Sequence, residues 1–359
     1  MAKKAVAAVE SDNFTDRILG EVEKEYGQGI MISGDDYIAA PRVVLPFSPS
    51  LDCITGGIEE GSCLTITGPP KHGKTSLAFW LAARAQQEAY GSRPVYYAKT
   101  EGRLAVKLIR GTSSLVTSSP QFNIIHSQEG RILSAQDFLT ILEKIIKTVP
   151  GAFIIIDSIS ALCEEKEQAE GIGTETRGGG AKLYAQFCRI INQVVPVNRS
   201  IVVGITHRYA NTSGQGAKWI EKASGMWGYQ IDYHLAVKMK TAWKVGEKPI
   251  GMELLVQCNA SKTSTPGLSI NTFIRYGLGV DELHESIVLG NSTGLVRQRG
   301  AWFQLEFLRK HPGLLQGEPP SFQGAEKTRE AFVQNPEWAA ALRRELSEMS
   351  LGTSGGGEE

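Results

Sequence analysis

The sequence predicts an α/β chain built on a mainly parallel central sheet flanked by helices. Three observations carry that prediction. Short, almost wholly apolar runs recur at Leu64–Thr67, Val95–Tyr97, Phe153–Ile156 and Ile201–Ile205. They are too short for core helices and too uniformly apolar for strands with one wet face, so they read as strands covered on both sides. Segments of helical periodicity, 74–90, 135–148 and 180–195, lie between them, and such alternation is the mark of a parallel sheet. After Lys238 the chain becomes richer in strands, at Met252–Cys258 and Ser269–Tyr276, which predicts an antiparallel extension of the same sheet.

The flanking elements follow in order. Residues 1–12 form a tip. Phe14, Ile18, Leu19, Val22 and Tyr26 then recur at helical spacing, with Asn13 placed to cap the helix and Gly27 and Gly29 to end it. Residues 1–37 are therefore read as a tip and a short N-terminal helix, whose apolar face must pack on its own core or on a neighbouring subunit. Residues 38–290 form the core, 291–350 a small C-terminal α/β domain and 351–359 a flexible acidic tail. The C-terminal domain holds a Pro/Gly-rich stretch, His311–Pro320, and a helix predicted over Pro336–Met349. There is no internal repeat.

Composition limits the function classes. The chain has 359 residues, 42% of them hydrophobic and 21% charged, enough apolar material for a sizeable core. Its 38 basic and 38 acidic side chains cancel, which excludes a broadly basic surface; a nucleic-acid site would have to be a local patch. Cys53, Cys63, Cys163, Cys188 and Cys258 form no CxxC pair, and read as reduced thiols in a cytosol-like compartment. No apolar run reaches the roughly 18 residues of a membrane helix, and MAKKAVAAVE is too short and polar for a secretory signal. A soluble intracellular protein with no membrane partner is expected.

Gly68-Pro69-Pro70-Lys71-His72-Gly73-Lys74-Thr75 fits GxxxxGK[ST] at every fixed position, after the strand CLTIT and before the helix KTSLAFWLAARA. Glycines let successive backbone N–H groups turn toward phosphate oxygens, and the helix that follows, with Ser76 in its first turn, aims its positive end at them. Lys74 supplies a point charge for the β and γ phosphates, and the Thr75 hydroxyl suits Mg²⁺. ATP and Mg²⁺ are the ligands such a loop calls for.

Phe153–Asp157 is an apolar run ending in an acid. An aspartate at the C-terminal edge of a buried strand sits where ligands bind in a doubly wound sheet and can hold magnesium with Thr75; Asp157 also suits a helix cap. Glu101 follows the strand VYYA in a glycine-containing turn, a second carboxylate at a strand's C-terminal edge, or a solvated surface glutamate. His207 ends the run SIVVGI, as a phosphate-sensing donor or as a satisfied histidine at a strand end.

Taken together, these segments resemble the bacterial RecA family and its phage relatives of the UvsX type. EKEYGQGIMISG (Glu23–Gly34) looks like the family's exit from its N-terminal helix. SPSLDCITGGIEEGSCLTITGPPKHGKTSL (Ser48–Leu77) follows its entry to the ATP site, and IIIDSISAL (Ile154–Leu162) its second ATPase motif. GAWF (Gly300–Phe303) and AFVQNPEWAAALRREL (Ala331–Leu346) resemble its C-terminal domain. The resemblance implies a RecA-type ATPase core and subunits stacked in a helical homo-oligomer. It implies ATP at each interface, and single-stranded DNA held in the filament and exchanged with a homologous duplex. It also implies a bacterial cytoplasmic setting, cellular or phage, with single-strand-binding and loader proteins as further candidate partners. By register, Glu101 matches the family's catalytic glutamate, and His207 stands where the phage relatives carry a histidine that senses the γ-phosphate.

Two long segments, Glu164–Gly180 and Arg208–Gly225, lack clean periodicity, and loops of that length in a compact domain are commonly functional. In the family the corresponding loops hold DNA. Arg177, Lys182, Arg189, Arg208, Lys218 and Lys222 are the candidate phosphate-contacting cations, with Trp219 or Ile220 as wedges between bases. Each also reads as a solvated loop residue, and the first loop is acidic, with Glu164, Glu165, Glu167 and Glu170 among its residues. Phe14, Ile18 and Tyr229 are the candidate interface residues, Tyr229 reading equally as a core tyrosine.

The sequence departs from the family at two places. Of two lysines that would act on a neighbour's ATP, Lys262 fits the second but Ala260 stands at the first; the residues after Glu101 lack the aromatic that stacks on adenine. Two rival readings stay open: a RecA-fold ring ATPase or helicase, and an ATP-gated DNA-binding regulator without exchange activity.

Overall fold

The computed structural model describes residues 9–353 except 103, 171–178, 211–218, 222–224, 229–230 and 316. The chain divides into two compact units, Met1–Val43 and Val44–Glu359. In the first, helix α1 spans Val9–Tyr26 and a short helix Gly34–Ala39 is capped by the Ser33 hydroxyl. Asn13 lies inside α1 instead of capping it, because the helix begins four residues earlier, at Val9. Phe14, Tyr26, Ile30, Tyr37 and Ile38 are all exposed.

The second unit is built on one large sheet. Its strands are β1 (Ser62–Gly68), β2 (Val95–Lys99), β3 (Phe122–Ile125), β4 (Phe153–Asp157), β5 (Ile201–Ala210), β6 (Trp219–Glu221), β7 (Tyr233–Val245), β8 (Lys248–Ala260), β9 (Ser269–Arg275) and β10 (Gly279–Val280). They lie in the order β10-β9-β8-β7-β1-β5-β4-β2-β3, with β6 paired to the far end of β5. From β7 to β3 every neighbour is parallel, and β7 through β10 extend the sheet antiparallel. A mixed sheet of this kind is the expected α/β architecture with its strand-rich extension.

The apolar runs are buried on both faces because alternate residues serve different cores. Leu64, Ile66, Phe153, Ile155, Val203 and Ile205 pack under helix α2 (Lys74–Ala85) with Leu77, Phe79 and Leu81. Cys63, Ile154, Ile156 and Val202 face the other way, toward Phe138, Leu142 and Ile146 of helix α3 (Ala135–Thr148) and Phe187, Ile191 and Val195 of helix α4 (Gly179–Val197). Each such side chain contributes about 1.5–3 kcal/mol by leaving water. A Ser134–Asp137 capping box starts α3.

Helices α5 (Glu282–Ser292), α6 (Ala325–Gln334) and α7 (Pro336–Thr353) and three short antiparallel strands, 297–299, 302–304 and 321–323, close a third core around Phe307, Phe332 and Leu342. Glu285 of α5 is fully buried and accepts from Ser50 N (2.9 Å) and the Thr272 hydroxyl (2.5 Å), tying α5 to the main sheet. The carboxylate of Asp281 receives both Arg275 (2.5 Å) and Arg329 (2.7 Å). Among the described residues no helix is long and apolar enough to cross a membrane, and all five cysteines are free thiols.

Gly204, mid-β5, has no room for a side chain: a Cβ there would lie 2.5 Å from Trp227 Cζ2. Trp227 is itself pinned by its indole N–H to Thr65 Oγ1 at 2.6 Å. Gly204→Ala is expected to destabilise the fold by about 1–3 kcal/mol through overpacking. Gly228→Ala, in open space, should stay within about 0.5 kcal/mol. Urea unfolding of the two variants checks this; equal midpoints contradict it.

Candidate active site

The C-terminal ends of β1, β2, β4 and β5 meet at one edge of the sheet, and the polar residues there come from those ends. β1 runs into the loop Gly68–Gly73, which has little freedom. A Cβ on Gly68 would sit 2.9 Å from the Val237 carbonyl oxygen, and one on Gly73 would sit 3.0 Å from Leu254 and Ile274 methyls. Gly73 has φ +73° and stands as the N-cap of α2, so its conformation also asks for glycine. Lys71 takes φ +61° without being glycine, and its carbonyl accepts from Lys240 Nζ of β7 at 3.1 Å. His72 Nδ1 lies 2.8 Å from the Pro70 carbonyl oxygen.

Lys74 begins α2 and is only 5% exposed. Its ammonium donates to the Gly68 carbonyl (3.0 Å), to the Pro69 carbonyl (2.8 Å) and toward Nδ1 of His207 (3.3 Å), using all three donors. An Nδ1 that accepts leaves the proton on Nε2, and His207 Nε2 meets Glu101 Oε2 at 2.8 Å. A neutral ring with that tautomer satisfies both contacts and links the phosphate-loop lysine to the glutamate. His207 is further fixed by its own N–H to Ser160 Oγ at 3.3 Å. The turn carrying Glu101 is held against the end of β4 by Glu101 N to the Asp157 carbonyl (3.2 Å) and by Thr100 Oγ1 to the Ser158 carbonyl (2.7 Å). Burial works to raise the Glu101 pKa, but hydrogen bonds from His207 and Ser158 and the Lys74 charge outweigh it, and the carboxyl lies below its ordinary value.

Asp157 ends β4 and is 8% exposed. It makes no helix cap. Its Oδ2 accepts from Thr75 Oγ1 (2.8 Å) and from the Tyr97 hydroxyl (2.8 Å). Burial lifts its pKa, opposed by those two donors. A carboxylate and a hydroxyl this close form a hard-oxygen pair, the donor chemistry that suits Mg²⁺ over softer metals. Among the described residues no group of three or more His, Cys, Asp or Glu is placed to hold a metal. The pair therefore fits an ion that shares its ligands with phosphates and water.

The remaining expected residues are spread more widely. Ser76 is half-buried in the first turn of α2, and Lys182 and Arg189 are exposed on α4. The segment expected as a first loop carries a helix at Glu165–Glu170 before its undescribed part. The second begins as β5, in which half-buried Arg208 pairs in register with Glu221, while Ile220 and Trp219 of β6 pair with Tyr209 and Ala210. Arg177, Lys218, Lys222 and Tyr229 lie outside the described residues. Phe14 is exposed and Ile18 half-buried on α1. Ala260 ends β8, and Lys262 Nζ pairs with Asp232 Oδ1 at 2.9 Å. Asp232 Oδ2 accepts from Cys63 N at 2.7 Å. This places Lys262 beside the start of β1, a strand length of roughly 20 Å from the phosphate loop at its end.

Sequence reasoning missed Tyr97, Lys240 and Asp232. The one available signal was a second tyrosine in the buried run VYYA, where phenylalanine fills a core equally well.

Burial pulls Lys74 from an ordinary 10.5 to about 8, with Asp157 and Glu101 opposing the shift. Between those values the unfolded chain holds a proton that the folded chain has released, so stability from this group rises with pH across that window. Lys74→Met is therefore expected to stabilise the nucleotide-free protein near neutral pH, by at most about 3 kcal/mol. The gain should shrink as pH rises from 8 toward 10.5. Urea unfolding across that range tests it; a loss at neutral pH contradicts it.

The RecA N-terminal domain family matches residues 14–281. Protein RecA of Thermotoga neapolitana is 27% identical over 350 residues, covering 93% of this chain and 92% of that protein. Protein RecA of Oleidesulfovibrio alaskensis is 25% identical over 343 residues, covering 92% of this chain and 89% of its own. For Protein RecA of Xanthomonas euvesicatoria the identity is 24% over 346 residues, with 92% and 91% covered. With the phosphate loop, the carboxylates at the ends of neighbouring strands and the sheet order described above, a match over three quarters of its length means that the chain belongs to the RecA family.

Proposed function

We propose that this chain is a DNA-dependent ATPase that forms a helical filament on single-stranded DNA, pairs it with a homologous duplex and exchanges strands. The observation that carries this reading is the Lys74–His207–Glu101 chain of contacts. It joins the residue that would hold the phosphates, the residue that would activate water and the strand that leads into the second candidate DNA loop.

In this mechanism the Gly68–Gly73 backbone and Lys74 hold and neutralise the β and γ phosphates. Thr75 and Asp157 would hold Mg²⁺, which supplies charge neutralisation at the same oxygens. Glu101, kept ionised by its neighbours, orients the attacking water and takes its proton. With a second proton taken up from water at Nδ1, His207 would donate to a phosphate oxygen where it otherwise accepts from Lys74, and β5 would carry the change toward Arg208 and β6. Lys182, Arg189 and Arg208, with the undescribed Arg177, Lys218 and Lys222, would meet DNA phosphates, and Trp219 or Ile220 would wedge between bases. Phe14, Ile18 and Tyr229 would line the contact between subunits. The position of Lys262, a strand length from its own phosphate loop, supports a role on the neighbour's nucleotide. Alanine at position 260, which removes one candidate trans cation and would slow ATP turnover, favours the second reading, an ATP-gated DNA-binding regulator without exchange activity.

Electron microscopy with ATP and single-stranded DNA is the primary test: helical filaments support the proposal, closed rings the helicase reading. Lys74→Ala should abolish ATP-dependent filaments. Glu101→Gln should keep ATP binding and lower turnover by about 10²-fold or more; full hydrolysis would remove Glu101 from the mechanism. His207→Gln can still accept from Lys74 and donate to Glu101, so ATP should still raise its DNA affinity, whereas His207→Ala should lose that response in fluorescence anisotropy. DNA-stimulated hydrolysis without joint molecules would favour the regulator reading, and an Ala260→Lys variant that hydrolyses no faster on DNA would sink the idea that this alanine limits turnover.

A further inference from the structure

Tyr97 stands on β2 two residues before Lys99, and Lys99 pairs with Asp157 across the parallel ladder. Residues 97 and 99 share a face of the sheet, so Tyr97 is a diagonal neighbour of Asp157, at a separation an aromatic side chain can bridge. Its ring is 3% exposed. Phe79 of α2 lies 5.2 Å away and Phe122 of β3 6.5 Å away between ring centroids, so packing leaves the ring little freedom to turn. A phenylalanine would fill this aromatic cluster with no polar atom to satisfy. The hydroxyl is a liability in such a place unless it has a partner, and its partner is Asp157 Oδ2, 2.8 Å away.

That oxygen is also the one that accepts from Thr75. Two donors arriving from different elements, one from β2 and one from α2, restrain the carboxylate's rotation about its last bond. Among the described residues neither of these donors falls on Oδ1. A threonine hydroxyl that lends a lone pair to a cation still has its proton for Asp157, so both donors persist when a metal is present.

We propose that Tyr97 is a positioning residue for the metal-holding acid: with Thr75 it saturates Oδ2 of Asp157 and reserves Oδ1 for a metal-bound water. This rests on reading the site as one for Mg²⁺ and nucleotide. Partners of this kind, one layer out from a metal, commonly change its affinity by 10–100-fold.

The test uses the full-length chain and Tyr97→Phe, with ADP binding followed by calorimetry over a magnesium titration. The Mg²⁺ concentration at half-maximal ADP binding should rise about tenfold, while ADP binding without metal and the thermal midpoint stay unchanged. Electron paramagnetic resonance of Mn²⁺ with the ADP complex should report the same weakening. Tyr96→Phe, on the opposite face of β2, should leave the magnesium midpoint where it is. In an Asp157→Asn background, Tyr97→Phe should add nothing. The proposal is overturned if Tyr97→Phe leaves the midpoint unmoved, if Tyr96→Phe moves it equally, or if the effect persists in full without the Asp157 carboxylate. Should the unsubstituted protein bind ADP with no response to Mg²⁺, the nucleotide-site reading fails with it, and that outcome is distinct from the other three.

Discussion

Burying the Lys74 ammonium is the constraint around which the active-site edge is organised. An unpaired ammonium out of water costs several kcal/mol, yet Lys74 is 5% exposed and, among the described residues, has no carboxylate in direct contact. Two carbonyls of its own loop and one imidazole nitrogen take its protons. None of these is a strong anion, which is why burial still depresses the pKa to about 8. A phosphate placed there would replace weak acceptors with charged oxygens, and the interaction would strengthen. The loop is thus folded around a cation whose best partner is not part of the chain. Stability is given up at a site where function needs a charge held ready.

The sheet order makes this possible. Because β1, β5, β4 and β2 are consecutive and parallel, one edge brings together Gly68 at the end of β1, His207 opposite it in β5, Asp157 at the end of β4 and the Thr100–Glu101 turn beyond Lys99. No two of these are local in sequence. Side-chain contacts then run across the strand ends, from Thr75 to Asp157 and from Lys74 through His207 to Glu101. His207 is the crossing point, since a neutral imidazole can accept on one side and donate on the other. Replacing it with a purely donating or purely accepting side chain would leave one neighbour unmatched.

Much of this was legible in the sequence because it is local. Gly68–Thr75 carries its own geometry, and the run ending at Asp157 shows its strand end directly, whereas β5 continues past the expected end at His207 to Ala210. Other parts were not legible because their partners are remote. Tyr97 finds Asp157 across 60 positions and Lys240 finds Lys71 across 169; no pattern near either residue announces the contact. Asn13 had the chemistry of a cap, but α1 begins four residues earlier, at Val9. β3 was passed over because FNII is too short to show a period, and the three-residue strands near the C-terminus are shorter still. The candidate DNA cations were named from composition and resemblance, and only those on α4 and β5 fall within described residues.

The role proposed for Lys262 bears on assembly. The phosphate loop lies at the end of β1, and Lys262 lies with Asp232 at its beginning. A lysine side chain spans about 6 Å, well short of the roughly 20 Å along that strand. A site that needs both edges can therefore be completed only by a second copy that brings its Lys262 edge to the first copy's loop edge. Such a contact joins unlike surfaces, so it cannot close as a two-fold pair; each added copy leaves one loop edge and one Lys262 edge open. Repeated, it produces a ring when the rotation between copies closes and a helix when it does not. If Lys262 acts on a neighbour's nucleotide, as proposed, the contact propagates, and the angle between successive copies separates a filament from a ring.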